Sequence, residues 1–257
     1  MADVVLVAVV DRVATVTLNR PEKRNALNSE VLARLPEALA DQDADSEVDV
    51  VILTGADPAF CAGVDLSEFE DTEGDTTVMD EVLGGGRRGP FPEMAKPVIG
   101  AINGFAVTGG LEVALACDFL VASERASFSD THARVGVMPG WGLTVMLPQA
   151  VGARRAREMS VTGNYVDAET ALRWGLVNHV VPHEELLPFC RKLGADIASN
   201  DQAGVRQLLG TYDEVTSTTV EEGWTREARA ARAWEETRAG LSADRRDAVI
   251  ERGRGQK

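Results

Sequence analysis

Apolar positions along this chain change period in a way that alternates strands with helices. Val4 to Val10 and Val13 to Leu18 are two β-branched runs either side of Asp11-Arg12, which predicts a hairpin at the start. From Ser29, a side chain suited to cap a helix, Val31, Leu32, Leu35, Ala38 and Leu39 recur at helical spacing up to the acidic stretch Asp41 to Glu47. Val48 to Thr54 is a short apolar run, read as a buried strand. A loop from Gly55 to Gly63, a short helical piece and an acidic surface loop from Glu68 to Asp75 follow, then a breaker-rich loop from Gly84 to Pro92. Pro97 to Ile102 is again strand-like, Asn103 to Gly109 a turn, about Gly110 to Cys117 a helix, and a further strand starts at Phe119. Later the chain turns helical: Gly152 to Val161, then a helix from Asp167 as cap to Gly175, a strand from Leu176 to Val181, and long helices to the end. Strands alternating with helices predict an α/β fold. The expected division is a core over residues 1–195 and a helical region over 196–257, which either packs on a neighbouring molecule or forms a layer on the same core.

Composition narrows the partners. With 44% hydrophobic and 26% charged residues in 257, the chain has the make-up of an ordinary globule, and no apolar run approaches the roughly 18 residues of a membrane span. The valine-rich start lacks a basic n-region and a small-residue cleavage site, so it reads as a strand and not a signal peptide. A formal net charge of −15 argues against nucleic acid or an anionic membrane as partner, because both need a basic field. Cys61, Cys117 and Cys190 are odd in number and scattered, which fits a reducing compartment, with the cytoplasm as the expected location. His179 and His183 have no companions at metal-ligand spacing, and no metal site is expected. Serine-hydrolase elbows, dinucleotide fingerprints and phosphate loops are likewise missing from the sequence.

Two segments share one design, in which a buried strand ends, small residues follow and a helix starts. They are Cys61-Ala62-Gly63-Val64-Asp65-Leu66 and Thr108-Gly109-Gly110-Leu111-Glu112. Helix N-termini carry unpaired N–H groups and glycine lets a ligand approach the backbone, so two such amides converging on one oxygen make an oxyanion hole. Either segment alone is equally compatible with an ordinary strand-to-helix turn.

Taken in order, longer stretches resemble successive hallmarks of the enoyl-CoA hydratase/isomerase (crotonase) family. These are Asn19 to Leu27, Ala59 to Leu66, Lys96 to Gly104, Gly109-Gly110-Leu111-Glu112 with Ala116-Cys117-Asp118, Pro139-Gly140-Trp141-Gly142, Thr162-Gly163 and Ala168 to Val181. The resemblance implies a spiral of ββα units with a C-terminal helical region that builds homotrimers, often paired into hexamers. It implies oxyanion amides on Val64 and Gly109, and a coenzyme A path along Lys23, Arg24, Ala26, Leu27, Ala62, Asp65, Leu66 and Gly110. Lys23 and Arg24 are then candidates to meet phosphates, or are ordinary surface charge. Coenzyme A enters as part of the substrate, with no separate cofactor.

Glu112, in the first turn of its helix, falls where hydratases keep the first of two glutamates. Counting without gaps from Glu112 to Pro139-Gly140 puts His132 at the second acid position. An imidazole can give and take protons near neutral pH, so His132 either delivers a proton to the α-carbon or shapes the site. Asp130 is placed to orient that imidazole, to act as an acid itself, or to make the turn bond to backbone that is the more frequent role of an aspartate before a threonine. Trp141 either narrows the acyl pocket or packs in the core. The expected reaction is addition of water to a 2-trans-enoyl-CoA. Double-bond isomerisation, thioester hydrolysis, decarboxylation and non-catalytic acyl-CoA binding remain as alternatives.

Overall fold

In a computed structural model of the protein, the residues described are 3–65, 67, 89–237 and 243–255. The expected helical piece and acidic loop between residues 66 and 88, and Leu66 itself, lie outside them. Two compact units divide the chain, residues 1–206 and 207–257.

The first unit is built on two sheets. The larger runs β1 (Val5–Val10), β2 (Val13–Leu18), β3 (Val50–Gly55), β5 (Val98–Ile102), β7 (Phe119–Ser123) and β10 (His179–Val181) in that spatial order. Only the β1–β2 hairpin is antiparallel, with Val10 opposite Val13 and Asp11 and Arg12 both in the left-handed region at the turn. The smaller sheet orders β4 (Ala59–Cys61), β6 (Phe105–Val107), β8 (Ser127–Ser129) and β9 (Val166–Asp167).

Three strands of the large sheet hand the chain directly to a strand of the small one: β3 to β4, β5 to β6, β7 to β8. After β6 and β8 come helices α2 (Gly109–Leu115) and α3 (His132–Val135). This is the spiral of ββα units that the family resemblance implies. Period-2 alternation explains why the large sheet is apolar on both faces. Val51, Leu53, Val98 and Ile102 enter the main core with Val31, Leu35 and Leu39 of helix α1 (Ser29–Ala44). Val50, Ile52, Ile99 and Ala101 face the other way, onto Leu186 and Cys190 of helix α7 (Leu186–Ala198).

Successive turns of the spiral are held in register by Asn103, whose amide donates to Asp57 Oδ1 at 2.9 Å and Ala59 O at 3.2 Å while its oxygen accepts from Gly55 N at 3.2 Å. Between α3 and β10 lie α4 (Leu143–Val151), α5 (Ala153–Thr162) and α6 (Ala168–Trp174). Asp167 caps α6 as expected, accepting from Thr170 N at 2.7 Å. For α1 the cap is Asn28, one residue before the expected Ser29, because its side chain is the one that reaches Val31 N. No helix among the described residues is long and apolar enough to cross a membrane.

Helix α8 (Gln202–Thr216) crosses the division between the units, and α9 (Val220–Thr237) and α10 (Ala243–Gly255) belong to the second. Within that second unit Arg226 ties the two helices on either side of the Ser217-Thr218 turn, bonding Glu222 at 2.6 Å and Glu214 O at 3.3 Å. Trp224 is 72% exposed there, and Tyr212 and Leu208 are also mostly exposed.

Candidate active site

Two backbone turns meet just beyond the ends of the paired strands β4 and β6. After β4, Gly63 takes φ +95°, and a Cβ on it would stand 2.9 Å from Val107 O and 3.4 Å from Gly109 N. Val64 then forms a parallel bridge with Leu27, through Leu27 N to Gly63 O at 2.8 Å and Asp65 N to Leu27 O at 2.9 Å. Those bonds use the groups flanking Val64, so its own N–H points out of the bridge.

The second turn is at Thr108, with φ 55° and ψ −114°, a conformation a β-branched residue adopts only when its surroundings impose it. The imposition is visible: Thr108 N donates to Ser129 O at 2.9 Å, its hydroxyl meets that of Thr131 at 2.5 Å, and its carbonyl accepts from Glu112 N at 3.0 Å. Gly109 therefore begins α2 with its N–H outside the helix ladder. A Cβ on Gly109 would lie 3.5 Å from Val64 N, so the two turns press on one another. Among the described residues neither amide has an acceptor. Gly110 is a packing glycine, since a Cβ there would stand 2.2 Å from Cys61 O. The Cys61 thiol accepts from Gly63 N at 3.5 Å, and burial pushes it up to about 12.

Glu112 projects from α2 and is 3% exposed. Its Oε1 accepts from Trp141 N at 2.8 Å and Leu143 N at 3.3 Å, while Oε2 takes part in neither bond and lies 3.5 Å from His132 Nε2. On its other side the His132 imidazole meets Asp130 Oδ1 through Nδ1 at 2.6 Å, and the same oxygen accepts the backbone N–H of His132 at 3.1 Å. Burial works against the charged imidazole, but the bonds and charges of Asp130 and Glu112 outweigh it and push His132 up to about 9. Asp130 is held below the usual carboxylate range: burial opposes this and the bonds from His132 and the Ser160 hydroxyl prevail. At neutral pH Asp130 is therefore a carboxylate and His132 an imidazolium.

Trp141 packs against the Gly109 turn. Its ring stands where a Cβ on Gly109 or Gly89 would be, at 3.0 and 2.4 Å, and it is buried.

The segment from Arg20 to Leu27 lies along the Gly63 turn, zipped to it by Ala62 N donating to Arg24 O at 3.0 Å and by the Leu27–Val64 bridge. Arg24 and Asn25 are both left-handed, and the Asn25 amide spans to Ala56 O and Ala59 O at 2.7 and 2.6 Å. Lys23 and Arg24 stand exposed on the outside of this loop, Ala26 and Leu27 are buried, and Ala62 is half-buried.

Asp65 is spent within the protein. Ser67 donates to one oxygen at 2.6 Å and Arg20 pairs with the other at 3.0 Å; the Ser67 bond, with Arg20 and against partial burial, holds it below the usual carboxylate range. Arg20 also donates to Ala26 O at 2.6 Å. In the sequence Arg20 stands out only as part of the Asn19 to Leu27 motif, and neither Thr108 nor Ser160 carries a signal of its own role beyond the position of Thr108, a β-branched residue directly before two glycines at a helix start.

Thus Val64, Gly109, Glu112, His132 and Trp141 converge, while Lys23 and Arg24 lie on the flanking loop and Gly110 serves packing. Comparisons with known proteins point the same way. The family model described as enoyl-CoA hydratase/isomerase matches residues 9–249. A probable peroxisomal enoyl-CoA hydratase 1 of Arabidopsis thaliana is 42% identical over 79% of this chain and 75% of its own. A crotonyl-CoA hydratase of Syntrophomonas wolfei is 35% identical over 86% of this chain and 85% of its own. The crystal structure of an enoyl-CoA hydratase from Mycobacterium smegmatis superposes with a TM-score of 0.76, at 50% identity, covering 92% of this chain and all of that one.

Proposed function

The chain belongs to the enoyl-CoA hydratase/isomerase family, and from that premise we propose that it is a hydro-lyase that adds water across the double bond of a 2-trans-enoyl-CoA. The observation that carries this reading is the buried contact between Glu112 and His132 beside two amides that have no acceptor among the described residues. Hydration needs a base for water and an acid for the α-carbon on one face of the alkene, and these two side chains are placed for that pair of tasks.

In the proposed reaction the thioester oxygen accepts from Val64 N–H and Gly109 N–H. Each donor to an oxyanion contributes about 2.7–4 kcal/mol in other enzymes, most of it as negative charge develops. Glu112 Oε2 takes a proton from water as its oxygen bonds C3, and His132 Nε2 gives a proton to C2. Both groups lie on one side, so the addition is syn. The reaction is redox-neutral.

The test is ultraviolet loss of the conjugated thioester when the purified protein meets a panel of 2-trans-enoyl-CoAs, with the product identified. Formation of the 3-hydroxyacyl-CoA is the expected result. A shifted double bond, free coenzyme A, or binding with no turnover each rejects the hydratase reading.

Lys23 and Arg24 offer positive charge near the site on a chain whose net charge is −15. Replacing both by Ala is expected to raise KM for the coenzyme A ester by about 1.4- to 5-fold with kcat unchanged, since an exposed pair contributes roughly 0.2–1 kcal/mol. The effect should fade in high salt. An unchanged KM at low salt assigns both side chains to solvent.

We further propose that exposed Leu208, Tyr212 and Trp224 of residues 207–257 are covered by other copies of this chain, in a homotrimer or a dimer of trimers. Sedimentation equilibrium should return a multiple of three; a monomer mass rejects this.

A further inference from the structure

Hydration returns the enzyme to its starting protonation state without exchange with bulk solvent only if the proton taken from water reaches the group that gave one to carbon. The site holds two carboxylates and one imidazole: Glu112 on α2, Asp130 in the turn before α3, and His132 between them. From α5 the only group bonded to this set is the Ser160 hydroxyl, on Asp130. The nearest arginine on α3, Arg134, turns away to Thr162 O and Asn164 at 3.1 and 3.0 Å.

We propose that Asp130 is the positioning residue that makes His132 the acid of this site, fixing the imidazole at both Nδ1 and backbone N–H so that Nε2 carries the transferable proton toward Glu112. This rests on the reading above that His132 delivers the proton to C2. Asp130 with a protonated His132 carries no net charge and one transferable proton. In charge and proton inventory the pair equals a neutral carboxylic acid, although its proton sits on nitrogen.

The cycle then balances. The water O–H bond breaks toward Glu112 Oε2 and the C3–O bond forms. The alkene electrons move onto the thioester oxygen as an enolate, and collapse of the enolate takes the proton from His132 Nε2 to C2. Glu112 is left protonated and His132 neutral. A proton passing from Oε2 to Nε2 across their 3.5 Å contact restores both without bulk solvent.

Asp130 touches neither water nor substrate in this scheme, so its variant must be read through His132. Asp130→Asn keeps the shape and an acceptor oxygen but removes the charge. The expected result is a kcat loss of about 10²-fold or more at pH 8 with KM within about 2-fold, in the range general-acid contributions span. The alkaline limb of the rate profile should lie near pH 9 in the native protein, where His132 loses its proton, and move down toward the ordinary imidazole value of about 6.5 in the variant. A loss from altered packing alone would not move that limb.

Nitrogen-15 NMR of the native protein, with its 3 histidines and a His132→Gln variant for assignment, reads the same point without relying on the variant's folding. Protons on both ring nitrogens of His132 at pH 8 support the proposal. A neutral ring there, or an Asp130→Asn enzyme with native kcat and an unmoved limb, overturns it. If instead His132→Gln itself hydrates at the native rate, the underlying reading fails and Asp130 has nothing to position.

Discussion

Glu112→Gln is expected to leave a folded protein that binds acyl-CoA and hydrates enoyl-CoA about 10²- to 10⁴-fold more slowly, with little change in KM. Gln keeps an oxygen to accept from Trp141 N and Leu143 N, the bonds that seat the side chain, so α2 and the Gly109 turn should hold their places. What is lost is the base, because an amide takes no proton from water. A second consequence follows from the same contact: without the carboxylate opposite Nε2, one of the two influences that push His132 up to about 9 is gone, and the alkaline limb of the residual activity should fall. Rate constants over a pH series, with affinity for a saturated acyl-CoA measured in parallel, check both points. Native turnover in Glu112→Gln would remove this residue from the chemistry.

Gly110→Ala is expected to cost about 10²-fold or more in kcat/KM although glycine has no side chain to give or take a proton. A single methyl there would lie 2.2 Å from Cys61 O and 2.8 Å from its carbonyl carbon, backbone atoms that cannot rotate aside. Relief requires the start of α2 and the end of β4 to separate by roughly 1 Å, since an ordinary contact lies beyond about 3.4 Å. The amides of Val64 and Gly109 ride on those two elements, and a misplacement of that size costs about 10²-fold in comparable sites. Stability should fall by about 1–3 kcal/mol, the range for overpacking. Gly210→Ala, where a Cβ meets nothing within 4 Å, is the control and should match the native enzyme. Steady-state kinetics and thermal melts of the two variants separate the outcomes; full activity in Gly110→Ala would mean that the oxyanion amides tolerate movement.

The elements read correctly from sequence are those in which one face repeats. The β1–β2 hairpin, α1, β3, β5 and α6 each carry enough residues for a period to show. Strands β4, β6 and β8 have three residues each and pair with segments far off in the chain, so no local pattern exists, and two of them fell inside expected loops or turns. Helix α4 contains Pro148, which interrupts the usual signal. At the site, Glu112 and His132 were found through family resemblance and an ungapped count. Residue spacing shows that Asp130 can reach His132; only three dimensions show that one oxygen holds both ring and backbone. The use of Asp65 was not legible, because its partner Arg20 lies 45 residues earlier and the pairing depends on the Leu27–Val64 bridge.

A thioester is an acyl donor to thiolates, and Cys61 sits two residues before the turn that presents Val64 N–H. With its thiol pushed up to about 12 by burial, the sulfur keeps its proton at neutral pH. The buried sulfur can therefore help hold Gly63 in place next to an activated carbonyl without accepting its acyl group, and the same low-polarity packing that positions the turn also keeps the enzyme from acylating itself.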